Sequence, residues 1–144
     1  MIISVSPDGP VSSVVTKVSE ELRYQCVDPE VANDCYVIID EFHANMREHV
    51  APGLDHFKWT LNIVAQKQGV IMTFDYPGPC FDPTQNSDIA YQPIESRRIG
   101  GLGLLIMASL SDDISYSYHN GINTLVVRRY KKEIDISQED NPCL

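Results

Sequence analysis

Basic residues are scarce in this chain. Eleven Lys and Arg stand against twenty Asp and Glu, a formal net charge of −9. Binding to duplex nucleic acid draws on clustered cations that displace counterions, so no direct nucleic-acid partner is expected. The same deficit argues against attraction to an anionic membrane surface. Long apolar runs are missing as well. The longest, residues 36–39 and 102–107, fall far short of the ~18 residues that cross a bilayer, and Met1 begins no charged-then-apolar leader. Cysteine occurs four times, at Cys26, Cys35, Cys80 and Cys143, and never as a CxxC pair. That spacing suits neither a dense disulfide framework nor a zinc site. The expectation is a cytoplasmic protein with reduced thiols, whose negative charge suits a partner carrying a basic patch.

What is present is enough apolar sequence for one core. At 144 residues, with 43% apolar and 22% charged residues, the chain has the length of one domain and needs no staple to fold. Residues 2–6 suggest a short strand, ended by Pro7-Asp8-Gly9-Pro10. Val11, Val14, Val15, Val18 and Leu22 recur at helical spacing and predict a helix over residues 11–26. Asp28 and Pro29 provide an N-cap and a first-turn proline for a second helix, running through Val31, Cys35, Ile38, Ile39, Phe42 and Met46 to about His49. Residues 54–66 and 70–76 predict an antiparallel hairpin. Residues 77–101 are proline-bearing and aperiodic, the texture of a lid or binding loop. A helix over 101–110 follows, then a hairpin of residues 114–118 and 122–130 around the Asn120-Gly121 turn. Residues 133–144 form an acidic tail expected to fray. The element order predicts a two-layer α+β sandwich with helices stacked on one face of the sheet.

Three groups of residues could carry chemistry. Glu41, Asn45 and His49, at i, i+4 and i+8, share one stripe of the second helix. They are either a solvated face or a carboxylate base next to a neutral oxygen suited to a hard cation. Arg97-Arg98-Ile99-Gly100-Gly101-Leu102-Gly103 places glycines and two guanidinium groups at a helix start, which serves either packing or phosphate binding. Asp75-Tyr76-Pro77-Gly78-Pro79-Cys80-Phe81-Asp82-Pro83, at a strand end, is either an exit turn or a backbone bent around a flat ligand.

In this order and spacing, and followed by Leu110-Ser111-Asp112-Asp113-Ile114-Ser115-Tyr116 and Gly121-Ile122-Asn123-Thr124-Leu125, these segments resemble the anti-sigma-factor serine kinases. Those are the small single-domain branch of the ATPase superfamily shared with histidine kinases and gyrase B. The similarity covers roughly residues 2–132. It implies a Bergerat-type sandwich, mostly antiparallel, in which residues 1–132 form the ATPase domain and about 82–100 an ATP lid. By the same resemblance Glu41 is the catalytic base and Asn45 binds magnesium and ATP. Gly78 shapes the adenine pocket, Gly101 and Gly103 hold phosphates with Arg98, and Thr124 lies near adenine. ATP and magnesium are then the cofactors. The partners implied are a sigma factor and an anti-sigma-factor antagonist whose serine is phosphorylated, and relatives commonly form homodimers through their sheets.

One position departs from the pattern. The family's aspartate, which would accept from the adenine amine, precedes the glycine by two residues, and two before Gly78 is Tyr76. Alternation puts Val70, Met72, Phe74 and Tyr76 on one strand face and Asp75 on the other. Either a bulge returns Asp75 to the pocket, or the adenine contact is lost and the chain is a non-catalytic partner-binding module.

Overall fold

The computed structural model describes residues 1–83 and 99–132. Helix α1 (Ser12–Tyr24) buries Val14, Val18 and Leu22 along one face. It stops where Cys26 takes a left-handed conformation (φ 58°) and Val27 N–H donates back to the Leu22 carbonyl, a Schellman-type ending. The next helix starts at once. Asp28 accepts from Glu30 N–H and Pro29 opens α2 (Pro29–Asn45), as the sequence predicts. That backbone donor, with Lys131 nearby, holds the Asp28 carboxyl below its usual range. Helix α2 buries Val31, Cys35, Ile38, Ile39 and Phe42. Burial pushes the Cys35 thiol up to about 12, so it behaves as a small core side chain.

Strands β1 (Ile2–Val5), β2 (Trp59–Gln66), β3 (Gly69–Pro77), β4 (Asp113–His119) and β5 (Ile122–Tyr130) form one sheet in the order β1-β2-β3-β5-β4. All four pairings are antiparallel. Asn120 (φ 52°) and Gly121 (φ 78°) turn β4 into β5, the paired positive φ values that favour Asn-Gly in tight hairpins. The inward residues Trp59, Leu61 and Ile63 on β2, Val70, Met72, Phe74 and Tyr76 on β3, and Leu125 and Val127 on β5 are buried together with the α2 stripe. Helix α3 (Ile99–Leu110) lies against α2 and adds Met107 to the core.

Two boundaries differ from expectation. Residues 54–58 precede the strand rather than belong to it, with His56 at φ 56°. Their apolar members Leu54 and Phe57 pack on the core without strand pairing. Helix α3 begins at Ile99, two residues before the expected start at Gly101. The expected lid falls mostly, and the acidic tail wholly, outside the described residues.

The far end of the core is closed by charge. Arg129 is buried and inward-facing on β5; its Nε donates to Asp34 of α2 at 2.9 Å and its Nη1 to Asp112 at 3.2 Å. At the opposite end Trp59 Nε1–H donates to His43 Nδ1 at 3.3 Å, and His43 Nε2 lies 3.0 Å from the Gly9 carbonyl, tying α2 to the turn after β1.

Candidate functional site

Near the C-terminal end of α2, Phe42 meets Tyr76 at the C-terminal end of β3, and candidate residues lie on both elements. Helix α2 does not run regularly to His49. After Asn45 the chain widens into a π-helical turn, Met46–Val50, that buries Met46 and Val50. The wider turn shifts His49 off the Glu41–Asn45 line, and its ring stacks instead on Phe81, with centroids 6.3 Å apart and planes 18° apart. Insertions of this kind recur where a helix must re-aim side chains.

Glu41 is half-buried. Burial raises its carboxyl above the usual range, and the nearby Asp40 and Glu48 carboxylates add to the shift. The folded state therefore holds this proton more tightly than the unfolded chain does. The stabilisation it brings is present at acid pH and lost as pH rises through the raised value. Glu41→Gln is thus expected to raise the melting temperature slightly at pH 7, by no more than about 2 °C because solvent screens the group. In melts at a pH below the ordinary glutamate range, the gain should vanish.

Asn45 is 2% exposed, and its side-chain amide nitrogen is buried without a hydrogen-bond partner among the described residues. A polar atom left so costs about 1–3 kcal/mol, so this one calls for a partner such as a water or a ligand. Asn45→Ala removes the unpaired group along with a modest volume, so stability within about 1 kcal/mol of the parent is expected. Urea titration checks this; a loss above about 2 kcal/mol would mean that the side chain is needed by the core.

The β3 end carries the other half of the junction. Its register with β5 is unbroken through Phe74↔Leu125, Asp75↔Thr124, Tyr76↔Asn123 and Pro77↔Ile122. There is no bulge here, so the pleat alone decides which way each side chain faces. Asp75 lies on the outer face of the sheet, where Thr124 Oγ1–H donates to its Oδ1 at 2.6 Å. Tyr76 faces the helices and is fully buried. Its ring meets Phe42 edge-on at 5.4 Å, and its hydroxyl donates to the Phe81 carbonyl at 2.7 Å. Burial, with Tyr116, Asp82 and Cys80 nearby, holds the phenol far above its ordinary pKa, so it remains a donor.

Beyond β3 the chain turns sharply. Gly78 has φ 125°, and a Cβ there would come within 2.9 Å of Leu54 Cδ1. Its N–H donates to the Gly121 carbonyl at 3.1 Å, and Tyr118 Oη–H donates to its carbonyl at 2.9 Å. Asn123 then fastens the rest of the turn. Its Nδ2 donates to the carbonyls of Tyr76 (3.2 Å) and Pro79 (3.1 Å). Its Oδ1 accepts from Phe81 N–H at 2.9 Å and from the Tyr116 hydroxyl. Sequence reasoning gave Asn123 no role. The signal was available: it is a polar residue in phase with the inward Leu125 and Val127.

Of the site residues expected from the sequence, Glu41 and Asn45 lie one turn apart near the end of α2, and Gly78 follows β3, where a Cβ would approach Leu54 and Val50. Gly101 falls in the first turn of α3 and Gly103 just inside the helix, while Arg98 lies outside the described residues. Asp75 and Thr124 require correction. The pleat turns both away from the helices, and they bond to each other on the outer face.

The chain belongs to the family of histidine kinase-like ATPase domains, whose model matches residues 4–129. It is similar to the serine-protein kinase RsbW of two strains of Listeria monocytogenes, serotype 4a HCC23 and serotype 4b CLIP80459. Each is 25% identical over 114 residues, a match covering 76% of this chain and 72% of the relative. Its fold resembles a crystal structure of the RsbU and RsbW domains of Rv1364c from Mycobacterium tuberculosis, with a TM-score of 0.55 and 15% identity over 90% of this chain. The match spans about a third of that longer chain, 32%. Among the described residues, no helix is long and apolar enough to cross a membrane.

ATP, which the family implies, and the magnesium expected with it fit the two ends of this site differently. At the α2 end, the Asn45 amide nitrogen, buried and unpaired among the described residues, is a donor able to meet an acceptor on a polar ligand, and the Glu41 carboxyl and the Asn45 amide oxygen are of the type that suits a hard cation. At the β3 end the fit fails. The acidic side chain that would accept from an adenine amine is on the far side of the sheet, and an aromatic side chain fills the inward position.

Proposed function

We propose that this protein is an anti-sigma-type regulatory factor that acts by binding protein partners, holding a sigma factor and exchanging it for an antagonist protein. The observation that carries the reading is the placement of Asp75. In a chain whose similarity to serine-protein kinases runs through most of its length, the acidic side chain at this strand end is bonded to Thr124 on the outer face instead of being turned toward the helices. The acidic balance of the chain, −9, suits partners with basic patches.

A second reading, ATP- and magnesium-dependent phosphorylation of a serine on the antagonist, is favoured by one feature. Asn45 keeps a buried side-chain amide nitrogen with no partner among the described residues, one helical turn from Glu41, which that reading makes the base. The two are separated by mixing the purified chain with each sigma factor of its own genome and with candidate antagonists, with and without ATP and magnesium. Co-elution in size-exclusion chromatography without phosphate transfer is the expected result. Labelled phosphate appearing on an antagonist serine, and lost in Glu41→Gln, would establish the kinase reading instead.

A further inference from the structure

We infer that Tyr76 is a built-in occupant of the base pocket: the site is filled by the chain's own phenol, so that partner binding is independent of adenine nucleotides. This deepens the proposed function and rests on it for the identity of the partners alone. The occupancy itself stands on geometry. The unbroken β3–β5 register fixes the direction of residue 76. The ring enters between the strand end and α2, against Phe42, with no surface left exposed. Its hydroxyl is paired with the Phe81 carbonyl, so the polar end of the side chain is satisfied as the amine of a bound base would be. The strand end and the turn that follows are latched by three hydrogen bonds to the Asn123 side chain, none of which needs a ligand.

Entry of a nucleotide base would require the phenol to leave the core. That step exposes a large ring, strips the Phe81 carbonyl of its donor and strains the latched turn. A ligand carrying these penalties loses roughly a hundredfold to a thousandfold in apparent affinity. Removing the ring should have the reverse effect. A cavity bounded by Phe42 and Phe74 is of the kind that takes up a flat molecule from solution.

The test uses the full chain, its Tyr76→Ala variant and a Tyr76→Phe control, with adenine alone and ATP with magnesium as probes. Tyr76→Ala should melt on the order of 10 °C lower than the parent. Millimolar adenine should restore several degrees of that loss, while leaving the parent and Tyr76→Phe unmoved to within about a degree. Titration calorimetry of the parent with ATP and magnesium should give no heat of binding. Affinity for its sigma factor should be the same with and without ATP. Binding of ATP to the parent with a Kd below about 100 μM overturns the inference, and so does failure of adenine to stabilise Tyr76→Ala. Should Tyr76→Ala not fold, Tyr76→Leu opens a smaller gap for the same comparison, and the ATP titration of the parent decides by itself. If the parent binds neither ATP nor any sigma factor, the partner reading fails and the filled pocket stands.

Discussion

Truncating Phe42 to alanine is expected to cost about 3–5 kcal/mol, the range for removing a buried aromatic side chain. Phe42 is 1% exposed and is the residue on which the aromatic core turns. Its ring lies 5.0 Å from Trp59, 4.2 Å from Phe74 and 5.4 Å from Tyr76. The two edge-on pairs, with Trp59 and Tyr76, add to the area term at about 0.5–1.5 kcal/mol each, so the loss should fall near the upper end. At about 2–4 °C per kcal/mol for a domain of this size, the melting temperature drops on the order of 10 °C or more. The effect is local as well as global. Phe42 stands between Glu41 and the bond of His43 to Trp59, so a cavity there frees the part of α2 that aims Glu41 and Asn45. Denaturant unfolding monitored by Trp59 fluorescence measures both, since that residue is the chain's only tryptophan. A loss below about 1.5 kcal/mol would show that the surrounding rings close the gap.

Asn123→Ala is the second large effect, expected at about 2–4 kcal/mol. The side chain is fully buried and takes part in four hydrogen bonds. Neutral bonds contribute about 1 kcal/mol each, and the cost rises where buried partners are left unpaired. Water can reach part of the turn, which keeps the sum below the simple total. The distinguishing readout is hydrogen exchange. The amide of Phe81 should lose protection far more than amides in the middle of β3, because only the former depends on Asn123. Asn123→Asp sharpens the test. Its carboxylate would face the carbonyls of Tyr76 and Pro79, so the folded state should favour the protonated acid. That variant should grow less stable as pH rises from acid to neutral, the sign expected for an acid whose pKa is raised on folding. Uniform destabilisation across that pH range would mean that the turn swings away from the strand.

Most of this architecture was legible in the sequence, because its periods are clean. Val70, Met72, Phe74 and Tyr76 alternate without interruption, and that alternation is what separates Tyr76 from Asp75. Asp28-Pro29 marked the start of α2, and Asn120-Gly121 marked the last hairpin. The π-helical turn at Met46–Val50 was not legible. Burial of Met46 and Val50 at a spacing of four is the pattern of a regular α-helix, and apolar periodicity cannot distinguish the two windings. The start of α3 was read two residues late, at Gly101 instead of Ile99, because the low helix propensity of Gly100 blurs the boundary. In the site, residue identities marked Glu41 and Asn45. The direction of Asp75 depended on whether the strand end bulged, which only the pairing of Tyr76 with Asn123 decides. Asn123 itself was hidden for a different reason. Its worth lies in backbone groups of a turn more than forty residues earlier in the chain (|i−j| 42 to Phe81), and no local pattern records them.

Strand β5 has a consequence for how the chain finds its native pairing. Sliding β5 by one residue against β3 would expose Leu125 and Val127, which hydrophobicity forbids. Sliding it by two would not, since the apolar alternation would be preserved and a shifted sheet would bury much the same surface. What separates the native register from that neighbour is polar. Asn123 at one end and Arg129 at the other face inward and find partners only where β3, α2 and the Asp112 turn stand now. In the slipped sheet both would be buried with their donors unmet, at a cost of about 1–3 kcal/mol for the amide and more for the charge. These residues serve as end-stops for a strand that closes the sheet late in the sequence, and a chain lacking both should populate a shifted pairing.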